Sequence, residues 1–257
     1  EVDLSKIDLV GQNLSGANLS GTADNPKDLR KIDLTGTILR GANLSFTNLS
    51  GQDLSGKDLR GINFHNANLE NADLSNITIS KLIQSSVQNC ESLGITNKDP
   101  NSEFESFVFQ NDCVMNTIKN EQMRTDFSNA NLRGTTISTN FMSFVDFSDA
   151  DMTGIKLSDF NIMGCKFNGA YLHNITVNTI IFVSCDFSDT KFNNSKVSNV
   201  GFHGVSFHDA KIIDTDFYSV LFIDTDLSNA DLKDTTFNKI LWEGDNNRTC
   251  KNNQICD

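Results

Sequence analysis

A leucine or phenylalanine returns at every fifth residue over long stretches of this chain. Residues 53–75 read DLSGKDLRGINFHNANLENADLS, and the recurring residues are Leu54, Leu59, Phe64, Leu69 and Leu74. An α-helix repeats its apolar face about every 3.6 residues and a β-strand every second residue, so neither keeps this series on one face. The period predicts a coil of short straight sides, in which four five-residue units close one turn of about 20 residues.

Two such series run through the chain in different registers. The first extends from Leu4 to Ile79 and contains one polar member, Asp24. The second extends from Phe127 to Trp242 and contains none. A chance periodicity would drift over such lengths, so we interpret both series as structural repeats and call the recurring position of each unit its centre.

Small residues often stand two positions before a centre, and Asp or Asn one position before it. The segments ANLSG (17–21), ANLEN (67–71) and ADLSN (72–76) show this A(D/N)LXX pattern. With this pattern, the chain resembles the pentapeptide repeat family over most of its length. The resemblance implies an all-β solenoid, a right-handed quadrilateral β-helix, in which the centre and the residue two before it face inward. We expect the Asp and Asn side chains to bond the backbone at the corners.

Breaks in the repeat divide the chain into four predicted parts. Residues 1–79 form N-terminal coils, 80–107 an irregular loop or excursion, 108–242 C-terminal coils, and 243–257 a polar capping tail. The two prolines, Pro26 and Pro100, fall at breaks, as expected for residues that lack an N–H. The length of the chain predicts about eleven or twelve coils.

The charge of the chain limits its partners. A formal net charge of -12 and a pI near 4.7 disfavour direct binding to nucleic acid or to an anionic membrane. No segment has the 18 or more apolar residues of a membrane span. Nothing in the sequence indicates a cofactor. The first residue, Glu1, indicates either a processed N-terminus or an excised fragment.

Residues 20 apart should stack on one side of the coil, so each side can be considered separately. The side with centres such as Phe147 and Phe187 carries an outward row of aspartates, opposed only by Lys166. This row could be merely solvated, bind a divalent cation, or present a DNA-like row of negative charge. We call it the acidic stripe: Asp126, Asp146, Asp149, Asp186, Asp189, Asp209 and Asp226.

A second side, with centres such as Phe182 and Phe222, carries apolar residues at outward positions. Contiguous exposed apolar surface marks interfaces. The sequence therefore predicts contact with a protein partner or with a second copy. The alternative is that the middle excursion or the tail covers this side. We call the row the apolar strip: Phe141, Met163, Ile181, Val183, Leu221, Ile223 and Leu241.

The six cysteines fall into three pairs. Cys165 and Cys185 each stand two before a centre, so we expect them to be buried thiols. Cys250 and Cys256 bracket a polar loop and predict a disulfide, and Cys90 with Cys113 could form a second one. Disulfides favour an extracytoplasmic location, whether secreted, periplasmic or lumenal. If all cysteines are reduced, the cytoplasm is favoured.

The sequence does not indicate an enzyme. Its four histidines are predicted to lie on the surface, and Ser, His and Asp combinations arise from the repeat itself. The favoured function is a non-enzymatic structural or interaction module that presents flat faces to a protein partner. The family resemblance implies an alternative, a DNA-mimicking protein that binds a type II topoisomerase such as gyrase. The acidic stripe favours this alternative, whereas disulfides would disfavour it. An enzyme or metal-binding protein is the third hypothesis.

Overall fold

A computed structural model describes residues 8–80 and 124–256 of the chain. These residues contain short strands and turns and no helix, so no helix there could cross a membrane. The strands are β1 (Lys27–Asp28), β2 (Thr47–Asn48), β3 (Asp73–Leu74), β4 (Thr136–Ile137), β5 (Phe141–Ser143), β6 (Lys156–Ser158), β7 (Asn161–Met163), β8 (Thr176–Asn178), β9 (Ile181–Val183), β10 (Lys196–His203), β11 (Asp216–Ile223) and β12 (Thr236–Glu243).

The strands stack in parallel, and one coil is 20 residues long. Phe202 in β10 lies opposite Phe222 in β11, which lies opposite Trp242 in β12. The described residues form a right-handed four-sided β-solenoid of about nine turns. This confirms the predicted fold. The predicted eleven or twelve turns were those of the whole chain, whereas this count covers only the described residues.

Four successive units make the four sides, which we number from their centres in the C-terminal coils. Side one contains Phe127, Phe147, Phe167, Phe187, Phe207 and Leu227. Side two contains Leu132, Met152, Leu172, Phe192, Ile212 and Leu232. Side three contains Ile137, Leu157, Val177, Val197, Phe217 and Phe237. Side four contains Met142, Ile162, Phe182, Phe202, Phe222 and Trp242.

The centres fill the axis of the solenoid with stacked side chains. On side one, the Phe187 ring lies between Phe167 and Phe207, with ring centroids 4.5 and 5.1 Å away. Edge-on contacts join this column to side four, where Phe182 lies 5.2 Å from Phe187 at 79°. Nearly every centre is buried, so hydrophobic burial along the axis is the main stabilising contribution.

The residue two before most centres also faces inward, as the resemblance implied. Ala, Val and Cys occupy many of these positions, but Thr occupies several, and its hydroxyl is always accommodated by a backbone carbonyl. Thr215 Oγ1 donates to Phe192 O at 3.1 Å, and Thr125 Oγ1 donates to Leu59 O at 3.0 Å. A buried hydroxyl without such an acceptor would be destabilising.

The residue two after most centres is left-handed, with φ between +48° at Asp224 and +78° at Gly154. Glycine, asparagine and aspartate adopt this conformation at the lowest cost, which explains their frequency at the fifth position of the unit. Among the departures are Phe46, Phe144 and the β-branched Thr179, with φ of 53°, 54° and 55°. Such residues are strained and persist only where their surroundings hold them.

The break at Pro26 is an outward loop of five extra residues. Asn18 lies opposite Asn43, so this coil has 25 residues, and Asp24 is exposed in the loop rather than on the axis. Reciprocal backbone hydrogen bonds of 3.1 Å between Thr22 and Asn25 close it. A Cβ at Gly21 would lie 2.3 Å from Phe46 O, so only glycine fits where the loop leaves the coil.

The break between the two repeat series lies at one corner of the solenoid. Asn63 lies opposite Asp126, so the coils on both sides of the break stack in one register although the paired residues are 63 apart. Ser80 Oγ accepts a hydrogen bond from Ser143 N at 2.7 Å, and Thr125 is buried two residues before the next centre. The predicted excursion 80–107, the start of the predicted coils 108–242, and Cys90 with Cys113 fall wholly or largely outside the described residues.

The tail continues the coil over sides one and two. Asn247 pairs with Asp226, and Lys251 pairs with Asp231. Beyond these pairs, Ile255 and the two flanking cysteines pack, partly buried, against the end of the core. Residues 243–256 thus include half a coil as well as a covering for the axis.

Candidate protein-interaction surface

The apolar strip lies along side four, and its residues differ in exposure. Leu241 is 63% exposed, whereas Phe141, Ile181 and Leu221 are partly exposed. These four stand one residue before a centre, where the strand directs them away from the axis. Ile181 and Leu221 flank Gly201 in paired strands, and the absence of a side chain at Gly201 leaves space beside both.

The prediction that the strip is exposed is wrong for three of its members. Met163, Val183 and Ile223 are 2%, 1% and 7% exposed. They stand one residue after a centre and form a column with large neighbours, since Met163 pairs with Val183, and Val183 with His203. Stacked neighbours one strand apart shield one another, so an outward position is not necessarily accessible.

Phe144 belongs to the same side and was missed by the sequence reasoning. It is 9% exposed with φ of 54°, and the Arg124 guanidinium lies 5.5 Å from its ring centroid. The available signal was an aromatic residue at the position where other units place glycine, asparagine or aspartate. Phe144 extends the apolar surface of side four toward the corner with side one.

The acidic stripe lies on side one, and four of its carboxylates hold turns. Asp146 Oδ1 accepts the Ser148 N–H at 3.0 Å, and Asp186 Oδ1 accepts the Ser188 N–H at 2.9 Å. The same bond occurs at Asp126 and Asp226, which confirms that side chains before a centre bond the backbone at corners. The remaining members occupy left-handed corner positions: Asp149, Asp189 and Asp209.

Asp146 is held in its ionised form by its hydrogen bonds. Burial raises the pKa of Asp146, but hydrogen bonds from Ser148 and Lys166 outweigh it, so its pKa lies below the usual value. The Lys166 Nζ to Asp146 Oδ2 distance is 3.0 Å. No group of three or more His, Cys, Asp or Glu side chains that could hold a metal ion occurs within residues 8–80 and 124–256.

A hydrogen-bonded chain of Ser, His and Asp is also present on side one. His208 Nδ1 lies 2.7 Å from Ser228 Oγ, and His208 Nε2 lies 2.9 Å from Asp209 Oδ2. Catalysis by such a triad also needs N–H groups free to stabilise an oxyanion. Here the Ser228 N–H donates to Asp226 Oδ1 and the Asn229 N–H donates to Thr249 O. The arrangement therefore lacks the nearest donors that a hydrolase would use.

The cysteines described by the structure follow the sequence prediction. Cys250 and Cys256 form a disulfide, with their Cα atoms 5.1 Å apart. Cys165 and Cys185 are buried free thiols. Burial and the neighbouring Cys185 raise the pKa of the Cys165 thiol well above its usual value, so it is unreactive as a nucleophile.

Comparison with known proteins identifies the repeat. The Pentapeptide repeats family profile matches residues 28–56, 42–80, 142–178, 185–222 and 201–239, which together cover more than half of the chain. No curated protein matches the chain significantly.

Similar solved structures are pentapeptide repeat proteins of low sequence identity. HetL, involved in heterocyst differentiation regulation in the cyanobacterium Nostoc sp. strain PCC 7120, is 15% identical over 93% of this chain and 89% of its own, with a TM-score of 0.37. Trypsin-treated QnrB1, a plasmid-mediated fluoroquinolone resistance protein, is 13% identical over 91% and 88%, with a TM-score of 0.35. On the evidence of the family profile, this chain belongs to the pentapeptide repeat family.

Proposed function

We propose that the protein is a non-enzymatic interaction module that binds a protein partner or a second copy through side four. The observation that carries the proposal is a row of six outward positions on a rigid sheet, of which four carry apolar side chains and the other two are Asn161 and Gly201. The four apolar residues are Phe141, Ile181, Leu221 and Leu241. At equivalent positions side one places Asp, Ser or Lys. Apolar side chains in water favour association, because burying them gains about 25 cal/mol per Å².

The rigidity of the surface supports this function. The side-four strands pack on a column of axis-facing aromatic rings. In it the Phe202 ring stacks between those of Phe182 and Phe222, with ring centroids 5.2 and 5.3 Å away. A preformed surface loses little conformational entropy on binding. Residues Ile181 and Leu221 lie near the middle of the row and are the expected centre of the contact.

The test compares the wild type with the double variant Ile181→Asp, Leu221→Asp. Sedimentation velocity measures self-association, and cross-linking in extracts of the source organism measures partner binding. We expect the variant to lose association at least tenfold while its melting temperature stays near that of the wild type, because neither residue faces the axis. Tyr171→Asp, at a 39% exposed aromatic on side two, is the matched control and should associate normally.

Two results would overturn the proposal. In the first, the double variant unfolds, and the wild type sediments as a monomer and cross-links to no partner. The other is equal loss of association in the Tyr171→Asp control, since this would show an unspecific effect of added charge.

The acidic stripe supports a second candidate, competition with DNA for a type II topoisomerase. Its carboxylates lie on successive strands, about 4.8 Å apart, at Asp126 with Asp146 and at Asp189 with Asp209. Elsewhere Lys166, Gly169 and Ser206 interrupt the stripe. The triple variant Asp149→Asn, Asp189→Asn, Asp209→Asn removes three charges and keeps the corners, since Asn129 and Asn229 adopt the same left-handed conformation. A gyrase supercoiling assay should then show an effect of the wild type that the variant lacks. No effect of the wild type would exclude this candidate.

A further inference from the structure

The last long strand, β12, is an open edge of the sheet. It pairs with β11 on one side, and within residues 8–80 and 124–256 no strand pairs with its other side. In β11 the axis-facing Phe217 and Phe222 are 1% exposed, whereas their counterparts Phe237 and Trp242 are partly exposed. The end of sides three and four thus presents unpaired backbone and apolar side chains. The Arg248 guanidinium covers part of the Trp242 ring, 5.5 Å from its centroid, and an incoming strand would displace it.

The path of the tail explains why this edge is open. The tail pairs with the preceding coil on sides one and two, as far as Lys251 opposite Asp231. Continued coiling would bring Cys256 opposite Thr236, the first residue of β12. The disulfide instead holds Cys256 beside Cys250, with 5.1 Å between their Cα atoms. Residues 252–256 are therefore held away from the path along β12.

We infer that the β12 edge accepts an extended segment of a partner protein as a further parallel strand. This inference rests on the proposed function, because strand addition is one way in which an interaction module takes a partner. Main-chain hydrogen bonds would supply affinity, and alternate side chains would supply specificity. Open edges of this length invite pairing with another chain.

The register of β11 on β12 defines the segment that fits. Opposed pairs are Phe217 with Phe237, Val220 with Ile240, Leu221 with Leu241, and Phe222 with Trp242. An incoming strand needs apolar residues at these same four positions. A second copy fits less well than a partner segment, because each copy carries a formal charge of -12 and the two would repel.

Trp242 offers a direct readout, because it is the single tryptophan of the chain and lies on the edge. The probe is a synthetic peptide with the β11 sequence DFYSVLFI, flanked by lysines for solubility and free of tryptophan. We expect saturable blue-shifted emission, reduced acrylamide quenching, and slower deuterium exchange of β12 amides. A scrambled peptide of the same composition should produce none of these changes.

Variants at Leu241 and Ile181 distinguish binding at the β12 edge from binding at the earlier strands of side four. Leu241→Asp should weaken peptide binding at least tenfold, and Leu241→Asn should weaken it without a charge. Ile181→Asp, two strands before β11 on the same side, should bind the peptide normally. Both Leu241 variants should fold, since that side chain is 63% exposed.

The inference fails if the peptide leaves Trp242 emission and amide exchange unchanged. It also fails if the protein forms a dimer without peptide that Leu241→Asp abolishes and Ile181→Asp leaves intact, because the edge then serves a second copy. In either case, loss of partner binding in the Ile181→Asp, Leu221→Asp variant would still support the proposed function.

Discussion

Truncation of Phe187 tests whether the stacked axis stabilises the solenoid. Its side chain is 2% exposed and lies between the Phe167 and Phe207 rings at 4.5 and 5.1 Å. Phe→Ala substitutions in cores cost about 3 to 5 kcal/mol, of which each aromatic pair contributes about 0.5 to 1.5. Hydrogen-bonded strands hold the coils above and below apart, so the cavity cannot collapse. We therefore expect Phe187→Ala to lower the free energy of unfolding by about 4 kcal/mol.

The assay is urea unfolding followed by far-UV circular dichroism. Phe187→Leu should cost only about 1 kcal/mol, because leucine occupies the equivalent position at Leu227 and most of the volume is kept. Tyr218→Ala, at a 46% exposed outward position, is the control and should change stability by no more than about 0.5 kcal/mol. A loss below about 1 kcal/mol for Phe187→Ala would refute the inward assignment.

Three further predictions concern acid, the disulfide and the buried hydroxyls. Because the pKa of Asp146 is lowered in the folded state, its charge stabilises the fold above its ordinary pKa of 3.8. This stabilisation is lost as the pH falls through the lower pKa of the folded state, and Asp146→Asn should flatten this part of a curve of stability against pH. Replacing both Cys250 and Cys256 by Ser should destabilise the tail by about 2 kcal/mol, seen as faster deuterium exchange there but not in earlier coils. Thr215→Val should cost about 1 to 2 kcal/mol in urea unfolding, because Phe192 O loses the hydroxyl that donates to it; an unchanged midpoint would contradict this assignment.

The sequence predicted the residues on the axis well, because an apolar residue that recurs at every fifth position can be buried only on the axis of the coil. A five-residue series such as Leu54, Leu59 and Phe64 is compatible with few backbones, and each of these residues is buried. The predicted disulfide followed from two cysteines in a loop that has no core of its own. Both features depend on the number of residues between similar side chains, which can be counted in the sequence.

Other features depend on neighbours that spacing does not reveal. Met163 and Val183 occupy outward positions, yet their stacked neighbours bury them. Asp24 keeps the five-residue period but lies in an extra loop, because the pattern does not show how many units make a given coil. Among the described residues no strand pairs with the outer edge of β12, and this too follows from the path of the tail and not from the composition of the strand.

The common register of the two repeat stretches is the architectural claim on which the other interpretations depend. Pyrene attached to Asn68→Cys and Asn131→Cys tests it, in a background where Cys90 and Cys113 are serine. These positions pair across the break although they are 63 residues apart, so their labels should form an excimer in the folded protein. Labels at Asn48→Cys and Asp151→Cys, separated by three strand spacings, should not. Excimer emission from the first pair alone is the predicted result, and monomer emission from that pair would contradict a single continuous β-helix.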